Sequence, residues 1–175
     1  MRIIAGKLGG RLFDSPGTQR THPMSDKMRG ALFNILGELD GQTVLDAFAG
    51  TGALSFEAIS RGATSAVAIE QDKTAQKTIA SNIAVLGLRR QVKLISASAN
   101  AWLQTSSGQQ FDLVLCDPPY NDLQPNLLAR LAERVTPEGL LALSWPAGTE
   151  LPTLPRLRLL DHRTYGDATL CFYQA

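Results

Sequence analysis

A glycine-containing loop carries the first chemical signal in the sequence. Residues 44–52 run from an apolar strand into a loop with two glycines, Gly50 and Gly52, and a helical pattern follows. This is the pattern of the first strand–helix turn of a nucleotide-binding sheet, whose glycines let backbone N–H groups approach a ligand closely. Asp46 places a carboxylate beside the loop, and Ser55 stands where the dinucleotide fingerprint has a third glycine. A carboxylate repels a pyrophosphate and attracts a cationic amine, which favours S-adenosylmethionine over a dinucleotide.

The two glycines alone would also fit a purely structural turn. An acidic residue after the next strand would instead indicate a ligand-binding loop. Residues 66–69 read as a short buried strand that ends at Glu70. Glu70 follows the glycines by about twenty residues, the spacing at which a carboxylate binds a ribose. The alternative is a solvated loop acid, and Asp72 is the better N-cap for the next helix. We therefore expect Glu70 to bind the ribose of a nucleoside cofactor.

A rigid polar tetrad ends a later apolar run. Residues 111–116 lead into Asp117-Pro118-Pro119-Tyr120. The two prolines fix φ, remove two N–H donors and force an extended path. They hold the Asp117 side chain, the Pro118 carbonyl and the Tyr120 ring in a fixed relation. In isolation such a tetrad could also be a strand-terminating turn.

Four motifs together resemble a known family. The tetrad at 117–120, downstream of Asp-Ala-Phe-Ala-Gly-Thr-Gly at 46–52, is similar to the catalytic motif of class I methyltransferases that modify exocyclic amines of bases. Arg-Ile-Ile-Ala-Gly-Lys-Leu-Gly-Gly-Arg at 2–11 and Ser-Asp-Lys-Met-Arg-Gly-Ala-Leu-Phe-Asn at 25–34 resemble the bacterial 16S ribosomal RNA guanine-N2 methyltransferase family. The likeness covers essentially the whole chain. It implies transfer of a methyl group from S-adenosylmethionine to N2 of a guanine in 16S rRNA, either free or in a 30S particle.

The resemblance assigns roles to the tetrad and to the cofactor loop. Asp117 and the Pro118 carbonyl, held by Pro119, would accept hydrogen bonds from the target amine, and Tyr120 would stack on a base that has left its helix. In the wider superfamily an acid or amide meets the adenine near position 98, where this chain has Ser98. The predicted cofactor site comprises Asp46, Phe48, Gly50, Gly52, Glu70, Gln71, Ser98 and Ala99.

One cofactor segment departs from the family pattern. The usual sequence before the first helix is Arg-Pro-Thr-Ser-Asp-Arg, and here it is His-Pro-Met-Ser-Asp-Lys at 22–27. Contacts made by the arginine or the threonine cannot be carried over to His22 or Met24. Pro23, Ser25 and Asp26 still match.

The charge distribution points to a polyanion contact at one end. The chain has a net charge of +1, but residues 1–30 carry six cations against two aspartates, so the remainder is net negative. A basic arm on a mildly acidic body suggests RNA binding, and an ordinary solvated arm is the alternative. The predicted RNA-binding residues are Arg2, Lys7, Arg11, Arg20, Lys27 and Arg29.

Composition limits the remaining possibilities. With 175 residues, 44% of them hydrophobic, the chain can bury one core, so we expect a basic extension over 1–24 and one domain over 25–175. No run is long enough to span a membrane and no signal-peptide pattern appears, which predicts a cytoplasmic protein. Cys116 and Cys171 read as small buried hydrophobes, and His22 and His162 lack partners at ligand spacing, so no metal is expected. The sequence does not determine the oligomeric state, and a monomer is our working expectation.

Alternating strand and helix patterns predict the fold. We expect an α/β, Rossmann-like class I methyltransferase with a mostly parallel seven-stranded sheet and helices on both faces. Residues 2–5 and 11–13 should form a hairpin or two extended segments. We also expect a helix over 53–60, a turn at 137–139 and a fifth strand over 140–143. A helix should run from Ser25 to about Asp40-Gly41, with Lys27, Arg29 and Asn34 facing solvent or RNA.

Three further functions stay open on the sequence alone. A nicotinamide-dependent oxidoreductase is disfavoured by Asp46 and the missing third glycine. An N6-adenine or other nucleic-acid amino-methyltransferase would use the same tetrad. A non-catalytic RNA-binding assembly factor could retain the cofactor loop, although the intact Asp117 argues against it.

Overall fold

The computed structural model describes residues 1–17 and 23–175. Helices and strands alternate along this part of the chain in the order α1 (Asp26–Leu36), β1 (Thr43–Asp46), α2 (Ala53–Ser60), β2 (Ser65–Glu70), α3 (Lys73–Val85), β3 (Val92–Ser96), α4 (Ala99–Thr105), β4 (Phe111–Cys116), α5 (Pro125–Ala132), β5 (Val135–Pro146), β6 (Arg158–Tyr165) and β7 (Ala168–Gln174). Within the described residues, no helix is long and apolar enough to cross a membrane.

The strands form one seven-stranded sheet in the order β3-β2-β1-β4-β5-β7-β6. Neighbours from β3 to β5 are parallel, whereas β7 runs antiparallel to both β5 and β6. The sheet is therefore mixed, and the prediction of a mostly parallel seven-stranded sheet is confirmed, since four of its six strand pairs are parallel. Side chains of α1, α2 and α3 fill one apolar core, and those of α4 and α5 fill a second. Helices thus cover both faces, and the carboxyl ends of β1, β2, β4 and β5 meet at one edge.

The N-terminal segment packs onto this domain. Residues 1–13 form two antiparallel extended segments, as predicted, with a bridge between Arg2 and Leu12. Ile3 and Phe13 are buried, and the Phe13 ring packs edge-on against Phe56 with centroids 5.3 Å apart. These contacts make the segment part of the same hydrophobic core.

A buried carboxylate anchors the segment to α2. Glu57 is fully buried and accepts hydrogen bonds from the backbone N–H groups of Ile4, at 2.8 Å, and Ala5, at 3.1 Å. Arg61 donates to the same carboxylate at 2.9 Å. Because burying an unpaired charge is costly, the Ile4 and Ala5 donors help to fix the segment on α2, and Arg61 balances the charge of the carboxylate.

The exposure predicted for Arg29 is wrong. Its guanidinium is fully buried, donates to the Arg2 carbonyl at 2.8 Å and to Asp26 at 3.0 Å, and lies 3.9 Å from Glu57. The residue lies on the same face of α1 as buried Phe33, four positions on. Arg29 is therefore an internal cation that balances Glu57, and RNA cannot reach it in this arrangement.

Two element boundaries also differ from expectation. The N-cap of α1 is Ser25, as predicted, but the helix ends at Leu36, where Gly37 takes φ 78°. Strand β5 starts at Val135 and includes the predicted turn at 137–139 as a bulge, with Glu138 at φ 66° and a register shift against β4. The bulge lets one long strand follow both halves of β4.

The cysteines behave as predicted. Cys116 and Cys171 are free and buried. Burial raises the pKa of the Cys171 thiol to about 11 and that of Cys116 further still, so both stay neutral. Over residues 1–17 and 23–175, no group of three or more His, Cys, Asp or Glu side chains is placed to hold a metal ion.

Candidate active site

The two loop glycines have different tasks. Gly52, at φ 81°, donates its N–H to the Ala49 carbonyl at 2.7 Å and serves as the N-cap of α2. A Cβ on Gly52 would lie 2.8 Å from the Phe56 ring, whereas a Cβ on Gly50 would meet nothing closer than the Phe48 carbonyl at 3.9 Å. Gly52 is therefore needed for packing, and Gly50 keeps the space in front of the loop open.

Ser55 fixes the carboxylate at the end of β1. Its hydroxyl donates to Asp46 Oδ2 at 2.8 Å and its backbone N–H to the same oxygen at 3.2 Å. A glycine at this position would lack the hydroxyl donor. Ser55, which replaces the third glycine of the dinucleotide fingerprint, thus orients the Asp46 carboxylate.

Asp46 is buried with one oxygen left over. The side chain is fully buried, and Oδ1 accepts no hydrogen bond from any described residue. Burial raises the pKa of Asp46 to about 7 against the lowering effect of the Ser55 hydroxyl, and the charges of Asp117 and Glu70 raise it further. A buried acceptor without a donor is unfavourable, and a cationic N–H group that reached this atom would satisfy it.

Glu70 ties the glycine loop to the start of α3. Its carboxylate accepts from the Gly50 N–H and from the Asp72 N–H, each at 2.7 Å. Asp72 is the N-cap of α3, as predicted, and accepts from Thr74 and Ala75. Each Glu70 oxygen retains a further lone pair for a hydroxyl donor. The carboxylate can therefore bind a ribose while it holds the loop.

The remaining predicted cofactor residues flank these carboxylates along the chain. Ser98 is the N-cap of α4, and its Oγ accepts from the Ala101 N–H at 3.1 Å. With that lone pair engaged, the hydroxyl proton remains free to donate to a ring nitrogen. Ala99 is buried at the first position of α4, Phe48 is partly buried and Gln71 is exposed.

The tetrad extends from β4 at the same sheet edge. Burial raises the pKa of Asp117 to about 6, and the hydroxyl of Ser144 on β5 lowers it by a smaller amount. Tyr120 is 37% exposed, while its hydroxyl oxygen lies 2.6 Å from Ser144 Oγ. Pro118 is buried and Pro119 exposed. One face of the Tyr120 ring can therefore contact a ligand while its hydroxyl is hydrogen-bonded to Ser144.

Ser144 is a site residue that the sequence interpretation missed. It is the polar member of the apolar run from Leu140 to Trp145 and is 3% exposed. Its register opposite Leu170 of β7 places it near the carboxyl end of β5. A single hydroxyl in a buried strand, at the edge where the other strands end, was the available signal.

The predicted RNA-binding residues lie in different settings. Arg2 is exposed and pairs with Asp26 at 3.4 Å, and Lys7 and Lys27 are exposed. The Arg11 guanidinium donates to the last carbonyls of α3, those of Val85 at 3.2 Å and Leu86 at 3.3 Å. Arg20 and His22 lie outside the described residues.

Two concavities mark opposite ends of the strands. A small cavity of about 10 Å³, room for about one water molecule, is lined by Met24 together with Cys116 and Ser144. Met24 therefore reaches the edge that carries Asp117. A wider depression of about 680 Å³, lined by Lys7, Asp40 and Arg61 among others, lies at the amino ends of β1 and β2. The site carboxylates and the tetrad do not line this depression.

Comparisons with known proteins agree with this arrangement. The family model described as "Conserved hypothetical protein 95" matches residues 1–174. The ribosomal RNA small subunit methyltransferase D of Haemophilus influenzae is 31% identical over 99% of this chain and 93% of its own length. The Escherichia coli protein of the same name is 32% identical over 89% of this chain and 79% of its own length.

Solved structures give the same result. The structure of yhhF from Escherichia coli has a TM-score of 0.89 at 30% identity and covers 99% of this chain and 97% of its own. The chain belongs to the Conserved hypothetical protein 95 family, which groups it with the ribosomal RNA small subunit methyltransferases D on a class I methyltransferase fold.

Proposed function

We propose that the protein transfers a methyl group from S-adenosylmethionine to N2 of a guanine in small-subunit ribosomal RNA. The observation that carries the proposal is the meeting of two groups of residues at one sheet edge. Asp46, Gly50 and Glu70 would form a nucleoside and amine site, and Asp117 follows β4, the parallel strand that pairs with β1 at Asp46 and Leu115. The names of the relatives support rRNA methylation, and the guanine assignment rests on the resemblance and on Asp117.

The residues present fit the cofactor. Asp46 Oδ1, buried and without a described donor, would accept from the cofactor amine, and Glu70 would accept from ribose hydroxyls. The open space before Gly50 admits the ligand against the loop backbone. When bound, S-adenosylmethionine supplies an electrophilic methyl group on sulfur, which keeps the electron pair of the broken C–S bond.

The chain's own residues act on the acceptor amine. The lone pair of an exocyclic amine is delocalised into the base, so positioning is most of the task. Asp117 and the Pro118 carbonyl accept the amine hydrogens, direct the nitrogen lone pair and stabilise the positive charge that develops on nitrogen before it loses one proton. The exposed face of Tyr120 stacks on the base.

The aspartate favours guanine. Guanine presents N1–H and N2–H donors side by side, so one carboxylate accepts from both, whereas adenine has an acceptor at N1 next to its amine. An ionised Asp117 would repel that acceptor. The argument supports guanine alongside the N-terminal motifs, although N6-adenine enzymes also use this tetrad.

Product analysis tests the proposal. The protein is offered unmethylated 30S particles, free 16S rRNA and DNA with labelled S-adenosylmethionine, and the products are digested to nucleosides. N2-methylguanosine as the sole product is expected. N6-methyladenosine would indicate an adenine-N6 methyltransferase instead. RNA binding without methylation of any substrate would favour a non-catalytic assembly factor.

Cofactor affinity should depend on pH through Asp46. With a pKa of about 7 in the free protein, Asp46 is partly protonated at neutral pH, and a cationic amine stabilises only its ionised form. Binding therefore releases a proton below pH 7, and we expect affinity to fall up to about tenfold per pH unit there and to level off above it. Calorimetry in buffers of different ionisation enthalpy measures this release. Asp46→Asn should bind weakly with no such slope, and a wild-type affinity that is flat from pH 6 to 8 would refute the amine contact.

Charge reversal should identify the basic N-terminal contact. Arg2 and Lys7 are exposed, so Arg2→Glu with Lys7→Glu should weaken RNA binding and reduce the slope of log K against log salt by about one unit per lost phosphate contact. The matched control is Arg156→Glu with Arg158→Glu, which changes the net charge equally at β6. If the two double variants show equal slopes of log K against log salt, residues 1–13 have a purely structural role.

A further inference from the structure

One side of the domain carries cations and no acidic residue. Residues 73–110 contain five cations and neither aspartate nor glutamate. They comprise α3, β3, α4 and the connections of these elements. Strand β3 lies at one end of the strand order, and α3 and α4 belong to the cores on opposite faces of the sheet. Residues 73–110 therefore form one lateral side of the molecule, which we call the β3 side.

The cations of the β3 side are exposed and have no counter-charge in the described structure. Within residues 1–17 and 23–175, no ion pair includes any of them. Elsewhere on the surface, exposed Arg2 and Arg163 each pair with an aspartate. The five exposed cations are Lys73 and Lys77 on α3, Arg89 and Arg90 in the α3–β3 turn, and Lys93 on β3.

Helix stability does not account for the two lysines of α3. Lys73 is the first residue of the helix, where the helix dipole disfavours a cation. Lys77 lies four positions further on, and like charges at this spacing repel each other. Both effects are unfavourable in the free protein and are relieved when an anion lies over this face. The other exposed residues of α3 are uncharged: Thr74, Ala80, Ser81, Ala84 and Val85.

The N-terminal segment joins the β3 side at the end of α3. The Arg11 guanidinium donates to the carbonyls of Val85 and Leu86, just before the turn that holds Arg89 and Arg90. Asp14 is an acid of the same segment, and its backbone exchanges two hydrogen bonds with Asn82. The segment therefore adds one cation and one acid. The fold thus brings together the two stretches of sequence that have an excess of positive charge.

The β3 side begins where the candidate site lies. Lys73 directly follows Asp72, whose N–H donates to the Glu70 carboxylate at 2.7 Å. Helix α3 has 13 residues, so it extends about 20 Å from the carboxyl end of β2 to the α3–β3 turn. Successive phosphates of a nucleic-acid strand are about 3.4 Å apart along the helix axis. The β3 side can therefore contact several phosphates of a strand whose target base lies at the tetrad.

We propose that the β3 side binds the phosphate backbone of the RNA substrate through Lys73, Lys77, Arg89 and Arg90. The inference rests on the proposed function, because it identifies the polyanion as the RNA that supplies the target base. Phosphate contacts of this kind fix the orientation of the RNA and read no sequence. Lys93 is left out, because a lysine on an edge strand also prevents pairing with another chain.

An anionic membrane is the other large polyanion that could bind a cationic side. A helix that lies on a membrane presents large apolar side chains to the lipid. The exposed face of α3 has one branched apolar side chain, Val85, and is otherwise alanine, serine, threonine and lysine. The composition of this face therefore favours RNA.

The salt dependence of RNA binding tests the proposal. Two double variants are compared with the wild-type protein on unmethylated 16S rRNA: Lys73→Gln with Lys77→Gln, and Arg89→Gln with Arg90→Gln. The matched control is Arg156→Gln with Arg158→Gln, which removes two exposed cations beside β6, at the opposite side of the sheet. Each phosphate contact contributes about 0.7–0.9 to the slope of log K against log salt. Each lost contact should therefore lower affinity about five- to eightfold at 0.1 M salt, and the binding curves should converge near 1 M.

A kinetic measurement separates binding from chemistry. In both double variants the KM for unmethylated 30S particles should rise, while kcat and the affinity for S-adenosylmethionine stay at wild-type values. Thermal unfolding confirms that the variants are folded. Salt slopes equal to that of the control in folded variants overturn the proposal. Unchanged RNA affinity together with lost binding to phosphatidylglycerol vesicles also overturns it and assigns the β3 side to a membrane.

The same binding series distinguishes this inference from the proposed function. A wild-type protein that binds RNA with the expected salt slopes but methylates no substrate would contradict the methyltransferase function and support the RNA-binding surface. Normal methylation with equal slopes in the variants and the control would contradict the surface alone. Absence of RNA binding by the wild-type protein would contradict both.

Discussion

Replacing Asp117 with alanine should reduce methyl transfer by at least about a hundredfold, the scale of removing one well-placed polar group from a transition state. The variant should still bind S-adenosylmethionine, because the loop contacts come from β1, β2 and the segment between β1 and α2. Loss of a neighbouring negative charge should lower the pKa of Asp46 and strengthen binding slightly at pH 6–7. Single-turnover kinetics on 30S particles measure the rate, and calorimetry measures the affinity.

Asp112 offers a matched control on the same strand. It accepts hydrogen bonds from the Thr43 N–H at 2.8 Å, the Thr43 hydroxyl at 2.9 Å and the Thr136 hydroxyl at 3.3 Å, at the amino end of β4. These bonds, led by that of the Thr43 N–H, lower its pKa. Asp112→Ala should cost about 1–3 kcal/mol of stability and leave the rate per folded molecule unchanged. Near-normal turnover in Asp117→Ala would refute the acceptor role.

Replacing Gly50 with valine should abolish cofactor binding in a folded protein. Its Cβ would enter the space that faces the ligand and would contact the protein no closer than 3.9 Å. The residue has φ 55°, so a branched side chain also adds backbone strain of about 1–2 kcal/mol. Calorimetry with S-adenosylmethionine and thermal unfolding measure the two effects separately.

Gly87→Val separates strain from obstruction. Gly87 follows α3 at φ 73°, and a Cβ there would meet no atom within 4 Å, so valine carries the strain but obstructs no ligand. It should lower stability by a similar amount and bind cofactor normally. Gly52→Val, by contrast, should fail to fold, because its Cβ would collide with the Phe56 ring. Unchanged affinity in a folded Gly50→Val protein would show that the ligand lies elsewhere.

The parts of the fold that depend on local sequence were predictable. Helix α2 and strand β4 have the predicted bounds, because glycines and prolines end their patterns sharply. Asp72 caps α3 because its side chain sits directly before the first helical turn. The glycine loop, Glu70 and the tetrad each end a strand of the predicted parallel sheet, and parallel strands place their carboxyl ends together.

The parts that depend on tertiary contacts were not. Arg29 was expected to face solvent or RNA, opposite the apolar positions of the helix, and its contacts with the Arg2 carbonyl, Asp26 and the buried Glu57 explain its position. The Ser144 contact joins β5 to the residues after β4, and no sequence spacing reports a hydrogen bond across 24 positions. The bulge in β5 likewise follows from the register of β5 against β4. The residues at 137–139 are typical of a turn, so the sequence did not indicate that the strand continues through them.

The antiparallel direction of β7 determines which chain end is suitable for a tag or a surface tether. Because β7 begins opposite Pro146 and ends opposite Leu140, it carries the chain away from the edge that holds Asp117. The Ala175 N–H bonds the Gly139 carbonyl at 3.2 Å, on the far side of the sheet. The N-terminal ammonium, in contrast, donates to the Phe13 carbonyl at 2.9 Å within the basic segment. A C-terminal tag or surface tether should therefore leave the reactive edge facing a particle as large as a ribosomal subunit, whereas an N-terminal fusion would remove the charge of that ammonium.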